Sequence, residues 1–238
     1  MARQNRQRDV IVRRDSPSSG PDNMAIDEGL LADAKPADPI VVRLYQWNQP
    51  TLSLGHFQSI DQWREDPLTR NVPGIGDLPW VRRKTGGGAI LHDSEWTYCI
   101  VIPSDAEDSM KGHSEALYRA VHASILDGLT ALGWGANLSE NCTCATADSR
   151  ESQSFLCFHR RSPVDIVVGK YKIVGSAQRR QRTGLLQHGS VLIHSSSVYP
   201  TLRGLEQLQR NCSNPVDWPS WLEGCIRNGL LEAARGDC

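Results

Sequence analysis

Cys157 and Lys172 are the two residues of this chain best suited to covalent chemistry, and fifteen positions separate them. A cysteine attacks carbonyl carbon only as the thiolate, a form that neighbouring positive charge favours. His159, Arg160 and Arg161 follow Cys157 directly. A hairpin turn at Gly169, a residue that tolerates positive φ, brings Lys172 back across the strand pair. On these residues alone Cys157 reads as a nucleophile or as an inert core thiol, which is what most cysteines are. Gly175, Ser176 and Ala177 then leave almost no side-chain volume. They suit either close approach of a ligand to the backbone or a bulge packed against a helix. The run closes on Gln187, His188 and Gly189.

A second cluster, Arg82-Arg83-Lys84-Thr85-Gly86-Gly87-Gly88, sets three cations beside three glycines. Backbone N–H groups in such a loop can point into a concavity that takes an anionic or polar acyl head group, although a glycine run is also simply a turn. His92-Asp93 offers an acid–base pair or, equally, a strand-end cap. Cys142 and Cys144 form C-x-C without a second pair at ligand spacing, which argues against zinc. Cys99 falls on a core position of its strand. Asn141-Cys142-Thr143 and Asn211-Cys212-Ser213 match a glycosylation sequon, empty in a protein that stays in the cytosol.

The elements that must position these residues are legible from periodicity. A short strand is expected over 10–12 and a helix over 24–34, capped by Asn23 with Asp27 and Glu28 in its first turn. Strands follow over 40–47 and 51–54, a surface loop over 66–79, and strands over 80–83, up to His92, and 96–102. Leu117, Val121, Ile125, Leu129 and Leu132 mark an amphipathic helix over 114–132. The stretch 138–154 reads as a polar loop, the stretch around Lys172 as two or three adjacent strands, and 218–234 as a last helix. The class is α+β, a mixed or antiparallel β-sheet with packed helices. Lys172 and the glycine loop are expected on one face of the central sheet, with Lys172 exposed in the site. Residues 1–9 are expected to be a disordered N-terminus and 10–238 a single catalytic domain.

With 238 residues, a formal net charge of -1 and a pI near 6.6, the chain carries no global drive toward nucleic acid or membrane. No apolar run approaches the ~18 residues of a membrane span. The basic N-terminus lacks the apolar stretch of an export signal, and seven cysteines is an odd number for a disulfide framework. A cytoplasmic protein is expected.

Several motifs occur in order. They are Asn23-Met24-Ala25-Ile26-Asp27-Glu28, Arg82-Arg83-x-Thr85-Gly86-Gly87-Gly88-Ala89 with His92, and Glu95-x-Thr97-Tyr98. Cys157-Phe158, Lys172-Ile-Val-Gly175-Ser176-Ala177-Gln178 and Leu186-Gln187-His188-Gly189-Ser190 complete the set. Together, over roughly 10–230, they resemble the lipoate-protein ligase/octanoyltransferase catalytic domain, related in fold to the class II biotin ligases. Cys157, with its spacing to Lys172, resembles the octanoyltransferase branch. The resemblance implies transfer of octanoyl from octanoyl-acyl carrier protein to a lysine of a lipoyl-domain or glycine cleavage H-type protein. Catalysis would fall to Cys157 and Lys172. Arg83, Thr85, Gly86, Gly87, Gly88, His92, Gly175, Ser176, Ala177, Gln187, His188 and Gly189 would bind substrate. No cofactor or metal is implied. One departure is Gly88, where that branch usually carries Arg; glycine there is the ligase form, and it keeps an ATP- and magnesium-dependent lipoate-protein ligase as the alternative. A non-catalytic carrier- or lipoyl-domain-binding module is a third reading, against which the intact Cys157 and Lys172 argue.

Overall fold

The computed structural model describes residues 8–66, 70, 72–104, 113–141, 155–208 and 214–235. The expectations for residues 1–7, Cys142, Cys144 and the Asn211 sequon lie outside the described residues.

Two sheets carry the site. The larger is mixed and seven-stranded, in the order β1-β2-β6-β10-β9-β8-β7. Its strands are β1 (Val10–Arg14), β2 (Ile40–Tyr45), β6 (Glu95–Pro103), β7 (Ala136–Leu138), β8 (Ile166–Val168), β9 (Tyr171–Gln181) and β10 (Gly184–Leu192). Only β1 and β2 run parallel; the other pairs are antiparallel. The smaller sheet, β4-β3-β5, joins β3 (Thr51–Leu54), β4 (Trp80–Arg82) and β5 (Ile90–His92). The glycine loop connects β4 to β5, so it hangs from this second sheet. The expectation that one sheet carries both it and Lys172 is corrected accordingly.

Helix α3 (His113–Ala131) buries Leu117, Val121, Ile125 and Leu129, one side of its 3.6-residue repeat, on the large sheet. Beside it lies α4 (Trp218–Arg235), with Leu222, Ile226 and Leu230 turned inward. Helix α1 (Gly20–Ala32) covers the opposite face through Met24 and Leu31, against Tyr45, Cys99 and Leu186. It begins earlier than Asn23 predicted. Ser19 is the cap, accepting from the Asp22 N–H, and Pro21 is tolerated because a first-turn N–H has no partner within the helix. Asn23 lies instead inside the helix, its amide bonded to the Ser18 and Gln46 carbonyls. The 66–79 stretch is not wholly superficial: Ile75 is buried, and the Trp63 indole donates to its carbonyl. Trp63 belongs to α2 (Ile60–Glu65), a helix opened by a Ser59/Gln62 capping box.

One irregularity in β9 matters for function. Ile166 pairs with Val174 but Val167 pairs with Lys172, so Ile173 is an extra residue on β9. Ile173 and Val174 both enter the core under α3. In an unbroken strand Lys172 would share that apolar face with Val174. The bulge turns it to the other face, beside Gly175.

Candidate active site

Cys157 opens a 3₁₀ turn, Cys157–His159, that leads toward β8. Its backbone is pinned to the glycine loop: Ala89 N donates to Phe155 O, and Cys157 N donates to Ala89 O at 2.6 Å. Gly88 permits this approach, since a Cβ there would stand 3.0 Å from both Cα and N of Cys157. The Cys157 thiol is half-buried and free.

Lys172 reaches it from β9. Its Nζ lies 3.4 Å from Cys157 Sγ, 3.3 Å from Cys157 O and 3.4 Å from Arg160 O, with the Phe158 ring centred 5.5 Å away. At 2.7 Å sits the Asp165 carboxylate, just ahead of β8. Lys172 is therefore not the exposed residue the sequence suggested; it is 6% exposed and ion-paired. Burial pulls its ammonium toward the neutral amine. The Cys157 sulfur and the Asp165 carboxylate outweigh that, and its pKa is raised above the ordinary lysine value. Burial pushes Asp165 up, opposed by Lys172 and by the N–H of Ser162. Gly175 leaves room for the lysine's own stem: a Cβ at 175 would lie 2.6 Å from Lys172 Cε.

Arg83 is the scaffold of the glycine loop. It is buried, and it donates from Nη2 to the Gly86 and Gly88 carbonyls, from Nη1 to Ser53 O and Oγ, and from Nε to Thr85 Oγ1. These acceptors are neutral, and desolvation lowers the Arg83 pKa to about 10. Drawing in the Gly86 carbonyl turns the Gly87 N–H the opposite way, because the peptide is planar. Gly87 itself has φ of 89°. Arg83 is thus absent from any charged rim; Arg82 and Lys84, its neighbours, are exposed.

Thr85 Oγ1 meets His188 Nε2 at 2.6 Å, and His188 Nδ1 faces Asp27 at 3.5 Å. Asp27 is in turn held by Arg43 at 2.7 Å and by the Tyr45 hydroxyl. The α1 motif therefore acts on the site through His188. Met24, Leu31, Thr85, Leu186 and His188 line a small cavity there. Ala177 pairs with His188 across the ladder and shares its face.

The remaining predicted residues stand elsewhere. His92 is buried in the smaller sheet, bonded to Ser53 Oγ and Glu95 and stacked on Trp47. Its carboxylate partner is Glu95; Asp93 instead accepts from Ser196 and Ser197. Ser176, Gln187 and Gly189 face α3, on the side away from Cys157. There His122 Nδ1 donates to Val164 O at 2.6 Å, which leaves Nε2 to accept from Ser176 Oγ. Ser176 bonds Tyr98, Gln187 reaches Tyr98, and Gln178 reaches Gln187. Desolvation lowers the His122 pKa to about 4, so the ring is neutral.

Sequence reasoning missed Asp165, His122 and the Asp27–His188 link. Asp165 left a signal, a lone carboxylate heading the apolar run Ile166–Val168 of the hairpin that returns Lys172. His122 left none, because it occupies an ordinary interior position of α3.

Residues 19–211 match the model of the lipoyl protein ligase A/B catalytic domain. The octanoyltransferase LipM of Anoxybacillus flavithermus is 37% identical over 201 residues, 81% of this chain and 70% of that one. The octanoyltransferase LipM of Geobacillus kaustophilus is 39% identical over 198 residues, 79% and 69% of the two chains. Among solved structures, the bipartite lipoate protein ligase of Thermoplasma acidophilum, described with its E2 lipoyl domain, superposes with a TM-score of 0.62 at 18% identity. That match covers 96% of this chain and 84% of the other, a likeness of fold.

Proposed function

The chain belongs to the lipoyl protein ligase A/B catalytic domain family, and from that premise we propose that it is an octanoyltransferase of lipoate biosynthesis that works through an octanoyl thioester on Cys157. The observation that carries the mechanism is the 3.4 Å approach of Lys172 Nζ to Cys157 Sγ. A ligase that makes an acyl-adenylate needs no nucleophile beside its lysine; a thioester exchange does.

In the first half, the Cys157 thiolate attacks the octanoyl carbonyl of the donor thioester. The C–S bond to the donor breaks, and the donor thiolate leaves with its electron pair and takes a proton from solvent. One thioester replaces another, so little bond energy changes. N–H groups of the glycine loop, held open by Arg83, are the candidate donors to the tetrahedral oxyanion. In the second half, the neutral amine of an acceptor lysine attacks the new thioester. The C–N bond forms, Cys157 leaves as thiolate, and the surplus amine proton passes to solvent. The cavity beside Thr85 and His188 mixes apolar Met24, Leu31 and Leu186 with Asp27, Glu28, Lys84 and Arg179, and at about 20 Å³ it is too small for an octanoyl chain unless side chains move.

The acceptor is a lipoyl-domain protein. The donor in this reading is octanoyl-acyl carrier protein, and a glycine cleavage H-type protein is a further acceptor. Exposed Arg82 and Lys84 beside the glycine loop suit acidic carriers, for which charge speeds encounter more than it tightens binding. Among the described residues no helix is long and apolar enough to cross a membrane. Gly88 fits the backbone of Cys157 here and does not by itself point to ATP. The reaction needs neither ATP nor magnesium, because the donor is already activated. Acceptor modification is expected from octanoyl-carrier protein without ATP, and none from octanoate with ATP. ATP-dependent modification that survives Cys157→Ala overturns the reading in favour of the ligase.

A further inference from the structure

Lys172 has three N–H donors and four acceptors within reach: Asp165 Oδ2, Cys157 O, Arg160 O and Cys157 Sγ. Among the described residues, the anions beside it are the Asp165 carboxylate and the sulfur when ionised. The other titratable groups facing this cluster supply no negative charge. From α3 come Tyr118 and a neutral His122; from the glycine loop comes Arg83, engaged with carbonyls; Arg161 lies on the side of Asp165. Asp165 is itself firmly set. Its Oδ2 accepts from Ser162 N at 2.6 Å, its carbonyl accepts from Ser139 N at 2.8 Å, and His122 holds the preceding carbonyl of Val164.

The charge balance of this cluster changes during turnover. While Cys157 is a thiolate, the sulfur is a counter-ion for the ammonium. Once it carries octanoyl the sulfur is neutral, and a buried ammonium without an anion gives up its proton. Yet this is the state in which the cation is needed. The acceptor nitrogen bonds to the carbonyl carbon, the C–S bond breaks, and the electron pair goes to Cys157 Sγ. The thiolate re-forms 3.4 Å from Lys172 Nζ.

We propose that Asp165 is a positioning residue for the second half of the transfer: it keeps Lys172 protonated and aimed at the sulfur while Cys157 is acylated. This rests on the octanoyltransferase reading above. It separates the two half-reactions, since the thiolate can serve as counter-ion in the first and only Asp165 can in the second.

Asp165→Asn tests this with little change of shape, the amide oxygen still accepting from Ser162 N. Acylation is followed with octanoyl-pantetheine. Deacylation is followed with hydroxylamine, a small nucleophile that stays neutral through the range. In the variant, deacylation near pH 8 is expected to fall by about tenfold or more, and its falling limb to move to lower pH. Acylation should change by less than about threefold. Equal loss in both steps, as a merely structural role would give, overturns the proposal, and so does wild-type deacylation. A wild type that never forms the thioester removes the octanoyltransferase reading and this proposal with it. Should Asp165→Asn not fold, NMR of the Lys172 side chain in octanoylated wild type decides. An ammonium that persists at neutral pH is expected; a neutral amine there overturns the role of Asp165.

Discussion

Gly175→Ala is the sharpest perturbation the site offers, because the added methyl meets Lys172 and little else. A Cβ at 175 would lie 2.6 Å from Lys172 Cε and 3.0 Å from Nζ, with Asp165 Oδ1 at 3.6 Å. Carbon atoms separate to about 3.5 Å or more, so the end of the lysine must retreat by roughly 1 Å. The gross attraction between unit charges 3.4 Å apart is about 5 kcal/mol at an effective dielectric of about 20, and about 4 kcal/mol at roughly 4.4 Å. The lost ~1 kcal/mol is a factor of about five in rate, and a misplacement of about 1 Å adds its own cost, up to about 100-fold. Acylation of Cys157 should therefore slow by about 10- to 100-fold. Stability should change by less than about 1 kcal/mol, since only the end of a flexible side chain moves and alanine suits a strand better than glycine. Quenched-flow mass spectrometry of the octanoyl adduct gives the rate, and thermal unfolding gives the stability. A folded variant that acylates at the wild-type rate would refute the idea that the lysine's placement depends on the bare backbone at 175.

Arg83→Met should lower stability by at least about 3 kcal/mol and abolish transfer, because the carbonyls of Ser53, Gly86 and Gly88 lose their donor; a denaturant melt and a transfer assay check both. His122 is neutral in the fold, with a pKa of about 4 against about 6.5 for an unperturbed histidine, so the unfolded chain binds its proton first as pH falls. Stability should decline from about pH 6.5 to about 4, by roughly 3 kcal/mol from this group, and denaturant titration of His122→Gln should lose that part of the slope. His92, its pKa also lowered by burial, adds a slope of the same sign that the His122 variant retains. Tyr98→Phe should cost about 1–3 kcal/mol by leaving Ser176 and Gln187 short of a partner, with the transfer rate unchanged because that network lies on the far face of β9; a melt and a rate measurement suffice.

Where periodicity governs, residues predicted structure well. The strand of Glu95–Pro103, the helix marked by Leu117, Val121, Ile125 and Leu129, and the turn at Gly169 (φ 56°) all follow from local pattern. Misses arose where one residue outweighs the pattern. Asn23 has the type of a helix cap, yet Ser19 caps α1 and Pro21 falls in its first turn. Ser59 and Gln62 spell a capping box, but the helix they open is only six residues long and carries too little periodicity to stand out. At the site, Cys157 and Lys172 were legible from type and spacing. Their geometry was not, because period two puts Lys172 on the apolar face, and only the extra residue Ile173 reverses that. Likewise Arg83 and His92 look like solvent-facing groups in sequence. Their burial depends on Ser53, Glu95 and the loop carbonyls, which become neighbours only when the smaller sheet forms.

The most direct measurement is intact mass of the protein after incubation with octanoyl-loaded carrier protein, without ATP and without acceptor. One octanoyl group should appear, map to the peptide that contains Cys157, and be released by hydroxylamine or by a lipoyl-domain acceptor. It should be absent in Cys157→Ser when assayed as a thioester. Transfer to the acceptor by Cys157→Ser at the wild-type rate, or a thioester found on another cysteine, would contradict the account.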